Sequence, residues 1–196
     1  MENLYDLLKI IHVVSFVFMS VPLFNLIVVA ERGKMGANFN YSIDRYMENI
    51  LAGGAPRCFV FQSTVGITGI LLLVYGPLGI EALWTEWIIA TKMLLLFVLI
   101  ALLSNVHFGI QPKIESLISG LGPDKPLPEE TASLLKPLRV RRKKFAAYCL
   151  FLVLTIIILG VQVYSTYSYF LTLILVAAAA LFSRRAYTRG NPHGWA

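Results

Sequence analysis

The chain has 196 residues, of which 57% are hydrophobic and 14% charged, and its mean hydropathy is +0.71. That is far too apolar for a soluble domain of this size and reads as a polytopic membrane protein folded as one small all-α bundle. The net charge of +6 does not argue for nucleic acid, because the basic residues gather at the ends of apolar runs, where they set orientation in a membrane.

Five apolar runs have the length or composition of a span: roughly 4–30, 58–75, 84–110, 145–164 and 167–182. A helix needs about 20 apolar residues to cross a bilayer, so the second and fifth are short. The first run meets charge at Glu31 and Arg32 without a small-residue cleavage site and is expected to be retained as a helix.

The connections alternate in charge. Connection 31–57 carries four basic residues, connection 111–144 carries eight and the tail carries three, together 15 of the 17 in the chain. GPLGIEALWTE and STYS carry none. The positive-inside rule then puts the N-terminus outside and the C-terminus inside, in an inner or plasma membrane. Tyr5, Tyr75, Trp84, Trp87, Tyr164, Tyr167 and Tyr169 fall at the outer ends as an aromatic belt.

Within the cytoplasmic connections, YSIDRYMENIL at 41–51 has Ile43, Tyr46, Met47 and Ile50 at helical spacing, predicting a short surface helix that ends at Gly53 and Gly54. GLGPDKPLP reads as a linker, followed by a helix that Pro137 would kink or end. RVRRKK is a stop-transfer block that would touch anionic lipid. Cys58 and Cys149 each lie beside a basic segment, on the reducing side, where a disulfide is not expected and a metal pair is a weak alternative.

Two basic residues fall inside apolar runs, Lys9 and Lys92. An ammonium in hydrocarbon is costly, so an ionisable residue within a span is a hypothesis about function that needs a partner. His12 is 8 residues past Leu4 and Lys92 is 8 past Trp84; on two helices running the same way, both lie about 12 Å in. His107 lies roughly 35 Å in on the same count, at the opposite surface. A bis-histidine site between His12 and His107 is therefore excluded, whereas His12 and Lys92 can meet.

Neutral imidazole is a common haem ligand, and burial favours the neutral amine of a lysine, which has a lone pair for iron. Ser15, Met19 and Pro22 follow His12 at i+3, i+7 and i+10, and Ala90 and Thr91 leave room beside Lys92. Gln62, Ser63, Thr64, Gly66, Thr68 and Gly69 form a small and polar stretch suited to close packing or to a buried ligand. The structural alternatives are a snorkelling Lys92, a His12 satisfied between helices, a Lys9 anchored at the outer headgroups, and His107 at the cytoplasmic interface.

LLKIIHVVSFVFMSVPLFNLIVV, YMENILAGGAPRCFVFQSTVGITGILLL and WIIATKMLLLFVLIALL resemble the first three helices of the HemJ family of membrane protoporphyrinogen IX oxidases, in a superfamily with copper-resistance D proteins. The likeness rests on K-x-x-H at Lys9 and His12, on Gly69 to Leu72, and on W-x-x-x-x-K at Trp87 and Lys92, and covers roughly 5–107. The family usually has four helices; this chain adds a fifth and two long connections. The resemblance implies haem b held by His12 and Lys92, with Lys9, Ser15 and Met19 near it, and a redox reaction: porphyrinogen oxidation or quinone-linked electron transfer. Partners would be the lipid bilayer, a quinone or porphyrin, and other subunits or a second copy. The alternatives are a cofactor-free scaffold subunit and copper transport, though no Met-x-x-x-Met or paired-cysteine pattern supports the latter.

Overall fold

The computed structural model describes residues 2–30, 32, 41–121, 128–163, 165 and 167–188. The described residues form helices and short connections, with no strand among them. Seven helices follow in order: α1 (Glu2–Ala30), α2 (Tyr41–Tyr75), α3 (Ala82–Thr85), α4 (Trp87–Ser104), α5 (Gln111–Ser119), α6 (Glu129–Gln162) and α7 (Tyr169–Thr188). A π-helical segment, Asn105–Ile110, joins α4 to α5 without a break. Five helices are long and apolar enough to cross a membrane: α1, α2, α4 with its extension to Ser119, α6 and α7.

The outward surface has the chemistry of a lipid-facing one. Val13, Val28, Leu94, Phe97, Leu173 and Leu181 are exposed on the outward faces of α1, α4 and α7, as a hydrocarbon solvent permits. We call the end where α1 begins the near end and the other the far end; successive long helices alternate in direction between them. Tyr75, Trp84, Trp87, Tyr167 and Tyr169 gather at the near end, with Trp87 and Tyr169 rings 6.3 Å apart. Tyr164, Arg189, His193 and most of GLGPDKPLP lie outside the described residues.

α6 is the central helix, touching α1, α4, α5, α7 and the π segment, while α1 packs along α2. Gly54 permits that second pairing: a Cβ there would stand 3.2 Å from Cβ of Pro22. The main core cluster joins Met19, Cys58, Val65, Leu96, Leu99, Cys149, Val153 and Ile156 from four helices. Both cysteines are buried and free.

The far end departs from the sequence expectation. α2 runs unbroken through Gly53, Gly54 and Pro56, and α6 runs through Pro137. The helix at 41–51 is therefore the first part of a long span helix, and its inward face is polar. Tyr46 is 66% exposed, whereas Asp44 and Glu48 are fully buried. The reason is charge pairing. Arg139 Nε donates to Glu48 Oε1 at 3.1 Å, and Arg142 donates to Oε2 at 2.6 Å and to Oε1 at 3.1 Å. Arg142 also donates to Gln111 Oε1 at 2.9 Å, and Arg32 to Asp44 at 3.1 Å. A buried carboxylate is tolerable only when so paired. Two arginines of RVRRKK thus face inward to α2 and α5 and are not free for lipid.

Candidate functional site

Two cavities open within the bundle, one toward each end. The near cavity has a volume of about 610 Å³ and lies between α1, α2, α4 and α6. Its walls are apolar except for Tyr5, Lys9, His12 and Lys92. The matched depth of His12 and Lys92 holds: both side chains line this one space.

Local packing fixes each of them. His12 sits against Gly69, where a Cβ would stand 3.3 Å from the imidazole Cε1, so the glycine gives the ring its place. His12 Nδ1 lies 2.9 Å from Thr68 Oγ1. The hydroxyl has a single hydrogen, and it donates to the Thr64 carbonyl at 2.6 Å, a bond common for helical threonine. In the tautomer that carries its proton on Nδ1, His12 donates to Oγ1 and keeps the lone pair on Nε2. This is how a protein commonly orients a metal-ligating histidine.

Lys92 is half-buried, and its amine faces α6: a Cβ on Gly160 would stand 3.7 Å from Nζ. A snorkelling lysine extends along the lipid face toward water; this one turns into the bundle. Among the described residues no carboxylate pairs with it. Lys9, at the mouth, bonds to Asp6 at 3.1 Å and lies 4.1 Å from the Tyr5 ring centre.

Ser15 and Met19 are not in this cavity. Ser15 is buried on another face of α1, since i+3 turns it about 60° from His12. Met19 shares the azimuth of His12 but is seven residues deeper, about 10 Å, and lines the far cavity. Pro22 goes with it. Ala90 and Thr91 do not line the near cavity, whereas Gly66 and Gly69 do.

The far cavity is smaller, about 90 Å³, and is lined by Gln62, His107, Gln111, Arg142, Cys58 and Cys149 among apolar side chains. His107 is thus half-buried and inward at the far end, the level its depth count gives. The ring packs edge-on against Phe59 and Phe108 at 5.8 and 4.7 Å.

One layer separates the two spaces. Val65, Leu96 and Ile156 line the near cavity, and Gln62, Leu99 and Val153, each three residues on, line the far one. Three residues are about 4.5 Å of helix, so the layer is one turn thick. Among the described residues no three of His, Cys, Asp or Glu converge as a metal-holding group.

The fold and its cavities define a class: a five-span helical membrane protein with a histidine and a lysine facing one interior space near one end. No family model, curated protein or solved structure matches the chain.

Proposed function

We propose that the chain is a haem b-binding integral membrane redox protein of the HemJ kind, holding the macrocycle in the near cavity through His12 and Lys92. The single observation that carries this reading is the His12–Thr68–Thr64 chain, in which the Nδ1–H tautomer of His12 presents Nε2 as a lone-pair donor in the cavity that Lys92 also lines. Glycines 66, 69 and 160 and apolar walls suit a flat hydrophobic ligand, as ligand cavities of several hundred Å³ generally do. Bound haem would supply one-electron exchange. The chain's own residues would orient the ligand nitrogen, accept the macrocycle and exclude water.

With the basic connections inside, the near end is the outer end. The reaction is then porphyrinogen oxidation or electron transfer linked to a quinone, in an inner or plasma membrane. The test is the reduced-minus-oxidised spectrum of the protein expressed with ample haem, beside His12→Ala and Lys92→Ala. A b-type spectrum in the wild type, lost in both variants, is the expected result. A wild type without a Soret band overturns the reading and leaves a cofactor-free scaffold, or copper transport if metal analysis finds copper.

A further inference from the structure

The far cavity gathers two buried amide side chains and a buried guanidinium. Gln62 is 3% exposed, Gln111 9% and Arg142 4%, and all three line it together with the half-buried His107. Each keeps one buried polar atom with no protein partner: Gln62 Oε1, Gln111 Nε2, Arg142 Nε and His107 Nδ1. Buried polar groups left unpaired are costly, and their usual remedy is ordered water. The four atoms come from four places in the chain, α2, the π segment, α5 and α6, and the side chains that carry them line one space.

Size selects the ligand. A water takes about 30 Å³ of liquid volume, so about 90 Å³ holds a cluster of about three. An apolar cavity that takes a benzene ring is near 150 Å³, which excludes a quinone or porphyrin ring here. The titratable side chains lining the space are Cys58, His107, Arg142 and Cys149, and Arg142 is committed to Glu48.

We propose that the far cavity is a second site, holding a cluster of ordered water bound by Gln62, His107, Gln111 and Arg142. It carries water and exchangeable protons from the charged far end to the apolar layer that separates it from the near cavity. The inference is independent of the haem reading.

Met19, Cys58 and Cys149 line the same cavity and are the side chains most readily oxidised by hydroxyl radical, so they report on water beside them. Radiolytic labelling of the full chain in lipid nanodiscs, read by mass spectrometry, is expected to oxidise Met19 and both cysteines although all three are buried. The Gln62→Leu, His107→Phe double variant removes both polar groups and keeps an aromatic ring against Phe59 and Phe108, and is expected to lower that labelling several-fold. Should the double variant fail to fold, Gln62→Met alone is expected to show the same loss in part. Unlabelled Met19 and cysteines in the wild type, or labelling unchanged in the variants, overturns the proposal.

Discussion

The near cavity and the far ion-pair network treat charge in opposite ways. Glu48, fully buried, is met by two arginines with three hydrogen bonds, and its function is to join α2 to α6. Lys92 and His12 face a space about 610 Å³ in volume, and Nδ1 of His12 is held by Thr68. Charge consumed by protein partners builds the fold; charge left facing a cavity is available to a ligand. Within a membrane the second is the more expensive arrangement, because no bulk water repays it.

The sharpest way to test that division is to remove a carboxylate from the network. Glu48→Ala leaves Arg139 and Arg142 buried without their counter-ion and is expected to cost about 3–5 kcal/mol. His12→Ala loses one hydrogen bond while Thr68 keeps its bond to Thr64, and is expected to cost only about 1 kcal/mol. Denaturant unfolding in micelles measures both. A His12 variant as damaging as the Glu48 one would mean that the histidine is a structural contact after all.

Thr68 is next in size. Thr68→Val keeps the shape and removes the acceptor that sets the His12 tautomer. Outer partners of this type change metal affinity by roughly 10- to 100-fold, so haem titration of the variant is expected to show a loss in that range with little change in stability. Thr68→Ser, which keeps the hydroxyl, is expected to restore most of the affinity. Equal behaviour of the valine and serine variants would separate the tautomer from ligand binding.

How far the sequence carried these conclusions differs between the two ends. The five apolar runs and the level of His12 and Lys92 follow from hydropathy and from 1.5 Å per residue, and neither depends on tertiary detail. The far end is less legible: the spacing of Ile43, Tyr46, Met47 and Ile50 predicts only a short surface helix at 41–51, yet the buried pair is Asp44 and Glu48, at i and i+4. Set beside Arg139 and Arg142, at i and i+3, that acidic pair was the legible sign of a buried network. Met19 has the azimuth of His12 but stands across the apolar layer, so depth and not azimuth decides which cavity it lines.

The smallest expected effect lies at the mouth of the near cavity and marks the limit of the comparison. Lys9 and Asp6 form an ion pair at 3.1 Å, but the side chains are 40% and 65% exposed. Water screens such a pair, and the two side chains lose rotamer freedom to make it, so exposed pairs contribute little. Asp6→Asn is expected to change stability by less than about 0.5 kcal/mol, with the difference vanishing in high salt. Lys9 keeps its place over the Tyr5 ring in that variant. A loss comparable to that of Glu48→Ala would show that burial does not separate structural charge from surface charge in this bundle.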